Sequence, residues 1–258
     1  MTTFYTNVQV SGNNILYRGV MDGKRVKQRI EYSPSLYIPS KKITKFTNLE
    51  GDYLDQKIFG DMREARDYIK QFEGVSGGVK IYGNTSFEYA FIAEQHQDMV
   101  EWDIDKLLIA FTDIEVGSEN GFPDPYLANE PITAIAIEYL NGDTYVFGTG
   151  DYDVSKDQTN DTSKIHYVKC RDEWTLCKKF MQLWTAKCPD VITGWNTKFF
   201  DIPYLVNRFK KILGEDEARK LSPWNNVYER KTVINGREMI EYKLSGVGSL
   251  DYIELYKW

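Results

Sequence analysis

Histidine is nearly absent from this chain. His96 and His166 are the whole supply in 258 residues, which leaves a histidine-rich metal centre or a histidine-based triad little to build on. Cysteine is scarce as well: Cys170, Cys177 and Cys188 are odd in number, flank a helical pattern and show no C-x-x-C spacing. Neither a disulfide framework nor a structural zinc site is expected, and the three read as reduced thiols in packing positions. No run approaches the roughly 18 consecutive apolar residues of a membrane span. Met1-Thr2-Thr3-Phe4-Tyr5 has neither the basic start nor the apolar continuation of a secretory signal. The expectation is a soluble intracellular protein. An overall basic excess is missing too, since the formal net charge is -6, and this argues against coating nucleic acid through the global field. Any catalysis has to run on carboxylates.

The charge balance is uneven along the chain. From Arg18 to Lys45 eight basic residues (Arg18, Lys24, Arg25, Lys27, Arg29, Lys41, Lys42, Lys45) face two acids, Asp22 and Glu31. Tyr17, Tyr32, Tyr37 and Phe46 are interleaved with them. The pattern fits either a single-stranded nucleic-acid face, where stacking and phosphate pairing act together, or a solvated hairpin with ordinary edge lysines.

Turn signals divide the first 100 residues into short β-type runs. Tyr5 to Val10, Ile15 to Val20 and Val26 to Tyr32 are separated by Gly12-Asn13-Asn14 and Asp22-Gly23. A meander of hairpins is expected, followed by one helix near Asp61 to Phe72, capped by Asp61 and stopped by Gly74, Gly77 and Gly78. From Lys106 the pattern changes. Leu107 to Phe111 reads as a strand buried on both faces, and a Gly/Pro-rich loop from Gly117 to Pro131 leads into Ile132 to Leu140. The chain turns at Asn141-Gly142 and returns as Thr144 to Phe147. Ile165 to Val168 suggests a short strand. Arg171 to Ala186 reads as a helix burying Trp174, Leu176, Phe180, Leu183 and Trp184, before Val191-Ile192 resumes strand. A buried helix between buried strands is a crossover, so the last strand should lie parallel to the first. Three antiparallel strands plus a parallel one behind a helix form the layout of a ribonuclease-H-like core. A second hairpin follows, Asn226 to Ile234 and Glu238 to Leu244 around Asn235-Gly236.

The chemistry concentrates in Phe111-Thr112-Asp113-Ile114-Glu115-Val116. Asp113 and Glu115 are two residues apart near the end of a strand and share one face. Two such acids repel unless a cation lies between them, and hard oxygen ligands suit Mg²⁺ or Mn²⁺. Asp201 follows the strand at Thr193-Gly194-Trp195-Asn196, where Asp201 and Pro203 begin a helix. It reads either as a third ligand or as a plain N-cap.

At these segments the chain resembles the proofreading region of family B DNA polymerases, most closely those of T-even-like tailed phages. The resemblance runs through Asp113-Ile114-Glu115-Val116, Phe122-Pro123-Asp124-Pro125, Thr193-Gly194-Trp195-Asn196, Phe200-Asp201-Ile202-Pro203-Tyr204 and Ser249-Leu250-Asp251-Tyr252. It implies an α/β (α+β) chain: an OB-like mixed β domain over residues 1–105, then a ribonuclease-H-like 3'-5' exonuclease domain over 106–258. It implies a replicative DNA polymerase's proofreading part, working in the cytoplasm of an infected bacterium. Asp113 is expected to bridge two divalent ions, Mg²⁺ or Mn²⁺, Glu115 to serve the first and Asp201 the second. Phe122 would stack on the unpaired DNA 3' end, beside Asn196. The family's third motif, Tyr-x-x-x-Asp, has no counterpart here: Tyr204 leads to Arg208, Tyr228 to Thr232, Tyr242 to Gly246 and Tyr252 to Tyr256. The expectation is therefore a C-terminally truncated exonuclease, from a shortened frame or a polymerase in two pieces whose C-terminal half is the partner. A non-catalytic module that holds single-stranded DNA, or RNA through the N-terminal domain, is the alternative. Asp251 and Glu254 are the late acids that a self-sufficient nuclease would have to use.

Overall fold

The computed structural model describes residues 2–72, 79–119, 121–156, 164–234 and 236–256. It divides into two compact units, Met1–Lys106 and Leu107–Trp258.

In the first unit, β1 (Phe4–Ser11), β2 (Asn14–Met21) and β3 (Lys24–Glu31) form an antiparallel meander joined by tight turns. Gly12 and Gly23 take positive φ in those turns, as two-residue hairpin loops require. A second antiparallel sheet, not anticipated from the sequence, consists of β4 (Ser35–Pro39), β5 (Phe46–Thr47) and β6 (Tyr53–Ile58) in the order β4-β6-β5. Helix α1 spans Met62–Phe72. Asp61 accepts from the Glu64 N–H at 2.8 Å, and the Glu64 side chain reaches back to the Gly60 N–H at 2.7 Å, a capping-box arrangement. The proposed stop at Gly74, Gly77 and Gly78 lies outside the described residues. A second helix, α2 (Phe87–Gln95), corrects the expectation of one. Its apolar residues are spread round the helix, so no amphipathic stripe marked it.

Tyr17 and Tyr32 are buried in this unit's core with Ile15, Leu36, Phe59 and Phe91, and Arg18 is buried too. β2 is buried on both faces from Ile15 to Val20, and Tyr17 goes inside with it. The basic stretch is therefore not interleaved with a continuous row of stacking aromatics; Tyr37 and Phe46 are the members left partly exposed.

In the second unit, β7 (Ile109–Val116), β8 (Ile132–Tyr139) and β9 (Thr144–Gly148) are antiparallel neighbours, and β10 (Ile165–Lys169) joins parallel to β9. Helix α3 (Glu173–Ala186) crosses over to β11 (Val191–Gly194), which pairs parallel with β7. Helices α4 (Asp201–Ile212) and α5 (Glu215–Arg219), the hairpin β12 (Val227–Ile234) and β13 (Arg237–Leu244), then β14 (Gly248–Asp251) and α6 (Tyr252–Leu255) complete the unit. The sheet order is β10-β9-β8-β7-β11-β14, the mixed sheet with a parallel crossover that the sequence pattern predicts. Asn235, in the turn of the second hairpin, lies outside the described residues.

Two details of packing differ from the expectation. The first strand is not buried on both faces: Ala110, Thr112 and Ile114 are buried, whereas Ile109 and Phe111 are partly exposed and Asp113 and Glu115 exposed. Helices cover one face and leave the other open, and the alternation of side chains sorts the strand accordingly. Trp174 is 51% exposed. Asp172 caps α3 by accepting from the Thr175 N–H at 2.8 Å, and the stripe that turns inward is Leu176, Cys177, Phe180, Met181 and Trp184.

Helix α4 organises the long loop before β8. Positions 204, 207, 208 and 211 recur on one helical face, and each donates to that loop. Tyr204 reaches the Glu130 carbonyl at 2.7 Å, Asn207 the Pro125 carbonyl at 3.0 Å, Arg208 the Ala128 and Asn129 carbonyls, and Lys211 the Asn129 side chain at 2.8 Å. Arg208 also forms a two-pronged pair with Glu173, both contacts 2.7 Å, and Glu173 in turn accepts from the Ile132 N–H at 2.7 Å. One guanidinium thus joins α3, α4 and the start of β8.

Gly194 fixes how closely β11 meets β7. A Cβ placed there would lie 2.6 Å from the Thr112 carbonyl oxygen and 2.6 Å from Thr197 Cγ2. The residue after Thr112 is Asp113, so this contact sets the spacing at the end of the strand. Gly194→Ala is expected to destabilise the unit by about 1–3 kcal/mol through overpacking, measured as a lower midpoint in chemical denaturation; an unchanged midpoint would show that the approach is not tight.

Candidate active site

Asp113 and Glu115 project from the open face of β7. Directly opposite them on β8 stand Ala136 and Ala134, whose short side chains leave the space over the two acids clear. β11 ends at Gly194, so β7 runs on past it with backbone groups on that side lacking a strand partner. Asp201, at the first turn of α4, fills the gap: its Oδ1 accepts from the Ile114 N–H at 3.2 Å. The carboxylate takes the place a strand carbonyl would have had. The plain N-cap alternative does not describe it, since no side-chain cap bond is made at the start of α4 and Asp201 is 3% exposed.

Burial first, and the nearby charge of Asp113 second, push the Asp201 carboxyl up to about 7, against the opposing pull of the Ile114 N–H. A buried carboxyl beside another negative charge favours its protonated form unless a cation is supplied. The structure therefore brings Asp113 and Asp201 together and puts Glu115 two residues farther along the same strand face. Among the described residues no three His, Cys, Asp or Glu side chains are gathered closely enough to enclose an ion. The donor chemistry suits a hard divalent cation, and the set is open on the solvent side.

The segment between β11 and Asp201 is held by one of the two late acids. Asp251, buried at the end of β14, accepts from the Asn196 N–H and the Lys198 N–H, both at 2.9 Å, and from the Ile253 N–H at 3.0 Å. It also lies near enough to raise the Asp201 carboxyl slightly further. Its sequence signal was an acid ending a β-type run beside the site's other strand end. Glu254 is likewise engaged, pairing with Lys198 Nζ at 2.6 Å. Neither late acid is free to complete a metal shell in this arrangement.

Asn196 adopts φ 58°, a left-handed conformation that Asn tolerates well, so it serves at least as the turn residue between β11 and α4. Phe122 is 87% exposed, and its ring lies 5.5 Å from that of Phe200, the residue before Asp201. An apolar ring held in water is a ready stacking surface.

The model of the "DNA polymerase family B, exonuclease domain" matches residues 81–258. The chain belongs to family B of the DNA polymerases. Over its full length it is 32% identical to the DNA-directed DNA polymerase of Escherichia phage RB69 and 30% identical to that of Enterobacteria phage T4, covering 31% of each. A DNA polymerase of Archaeoglobus fulgidus is 27% identical over 62% of this chain and 18% of its own length. The chain thus spans about a third of the length of the phage polymerases it matches. The α/β architecture of the second unit agrees with the ribonuclease-H-like fold expected of a family B exonuclease domain. Among the described residues no helix is long and apolar enough to cross a membrane.

The raised Asp201 carboxyl makes a signed prediction for metal-free protein. The unfolded chain ionises this group near pH 4 and the folded chain near 7, so the folded state holds the extra proton in between. Its contribution is present below about pH 4 and is lost as pH rises to about 7. In chelator, the stability difference between wild type and Asp201→Asn should fall by a few kcal/mol across that window, read from melting curves at fixed ionic strength. A flat difference would mean that Asp201 ionises as an ordinary carboxyl.

Proposed function

We propose that this chain is the N-terminal and proofreading part of a phage replicative DNA polymerase, removing nucleotides from a DNA 3' end. The observation that carries this is the buried carboxylate of Asp201 set against β7 beside Asp113, at the end of the strand that also bears Glu115. Asp113, Glu115 and Asp201 would hold two divalent ions, Mg²⁺ or Mn²⁺. When bound, such ions supply an activated water and stabilise the departing 3'-oxygen.

The remaining work falls to the protein's own side chains. Phe122, braced by Phe200, stacks on the last base and holds a frayed end over the open face of β7. Asn196 offers a polar contact to the strand at the turn before Asp201. Ala134 and Ala136 keep the floor low so that a phosphodiester can approach the acids. Asp251 holds the loop backbone so that Asp201 keeps its place whether or not an ion neutralises it. Further protein, in the same polypeptide or a partner, would supply the remaining acid, the polymerase centre and the rest of the DNA path. Such a protein would act in the cytoplasm of the infected bacterium.

A second reading is a module that holds single-stranded DNA without cleaving it. It is favoured by one observation: no three acids converge among the described residues.

Stepwise shortening of a 5'-labelled single-stranded oligonucleotide in Mg²⁺ or Mn²⁺ separates the two. Asp113→Ala with Glu115→Ala should lower the rate at least about a hundredfold, the upper end of what losing even an outer partner of a metal ligand costs, while leaving oligonucleotide binding in chelator unchanged. Binding without shortening, in wild type and variant alike and also once the C-terminal part of the polymerase is added, would select the second reading for this chain.

A further inference from the structure

Three consecutive residues of β13 each grip a different piece of the candidate site. Ile240 meets the Tyr126 hydroxyl twice, its N–H donating at 3.1 Å and its carbonyl accepting at 3.3 Å, which ties the strand to the loop bearing Phe122. The Tyr242 hydroxyl donates to Asn207 Oδ1 on α4 at 2.9 Å. Between them stands Glu241, with a side chain 3% exposed.

Its carboxylate is surrounded by cations at 3.4 Å (Lys198 Nζ), 3.5 Å (Lys243 Nζ) and 3.6 Å (Arg230 Nε). The Oε2 atom has no hydrogen-bond partner, and Glu241 borders a cavity of about 200 Å³ shared with Lys198, Ile202 and Val247. A carboxylate removed from water persists only where charge or hydrogen bonds compensate it; here charge does so. Arg230 and Lys243 belong to the hairpin itself, and their side chains are 65% and 36% exposed. Lys198 differs: it is 21% exposed and belongs to the loop between β11 and Asp201.

We propose that Glu241 is a positioning residue, whose buried charge holds Lys198 and through it the loop that places Asp201. The catalytic sense of the role rests on the metal-site reading above. The loop is then fixed from two sides, its backbone by Asp251 and the Lys198 side chain by Glu241 and Glu254. Any displacement of the β12–β13 hairpin pulls on Asp201 and, through Tyr126, on the Phe122 loop in the same movement. A neutral amide at position 241 would keep the volume but take the buried counter-charge from Lys243 and Arg230 and leave Lys198 with Glu254 alone.

Hydrogen exchange read by mass spectrometry on the peptide spanning residues 195–203 tests the link without requiring nuclease activity. Glu241→Gln and Lys198→Met should each speed exchange there by on the order of tenfold. The double variant should be no faster than Lys198→Met alone, because that change already removes the Glu241 contact together with the Glu254 one, and Glu241→Asp should restore part of the protection. Peptides from β8 and β9 should not change. Unchanged exchange at 195–203 in the Lys198→Met protein, effects that add in the double variant, or faster exchange throughout the unit would each overturn the proposal. Lys198→Met keeps the test decisive should Glu241→Gln fail to fold. In the nuclease assay both single variants should lower kcat, Lys198→Met at least as much as Glu241→Gln, and leave the KM for oligonucleotide unchanged. A wild type that shortens no DNA would count against the metal-site reading, while the exchange data would still decide the Glu241–Lys198 link.

Discussion

The arrangement depends on a carboxylate kept where it is uncomfortable. Asp201 is almost fully buried, close to the charge of Asp113, and is stabilised there by one backbone N–H from β7. Left to itself, a carboxyl in that place takes up a proton or drags its helix away. What prevents the second outcome is the surrounding framework: Gly194 lets β11 end tight against Thr112, Asp251 fastens the intervening backbone, and α4 is anchored along its length by the loop it grips. The local cost is sustained by contacts made elsewhere, as is usual where function requires strain or repulsion.

That framework explains why the long loop after β7 belongs to the site although it crosses the surface. Its carbonyls would be unsatisfied if it lay on the protein without donors. Tyr204, Asn207, Arg208 and Lys211 supply them from a single helical face. The helix that begins with Asp201 therefore also places Phe122, and the Arg208–Glu173 pair locks both to α3. Breaking a largely shielded, two-pronged pair of this kind leaves a charge poorly compensated, which makes it a poor place for drift.

Much of this was legible from residues alone, and the reasons are local. The spacing of Asp113 and Glu115 placed them on one strand face because side chains alternate. The Gly194-to-Pro203 run announced a strand end followed by a helix start, and the order of apolar runs implied the parallel crossover. The first unit was read less well. The spread of apolar residues round α2 hid a helix. β4 to β6 are short and carry polar residues, so a second sheet was not expected. Tyr17 and Tyr32 illustrate a different limit: an aromatic between basic residues looks like a stacking ring until the packing of the whole unit takes it inside. Trp174 fails in the opposite sense, a large ring left outside by a helix whose inward stripe is offset from it.

The role of Asp251, and Glu241 altogether, were beyond reach for a deeper reason. Each acts on residues 40 to 60 positions away, through a register or a hairpin packing that no local pattern encodes, and each looks in sequence like an acid on an ordinary strand. Their partners share one short segment: Asp251 holds the backbone of Asn196 and Lys198, Glu241 holds the Lys198 side chain. A loop that must present Asp201 against repulsion cannot rely on its own conformational preferences, since Asn196 already sits in a left-handed conformation. It needs contacts from outside on both backbone and side chain, and the two buried acids supply them. The acids on the open face of β7 and at the start of α4 are thus placed by buried acids elsewhere in the unit, and the second group determines where the first can stand.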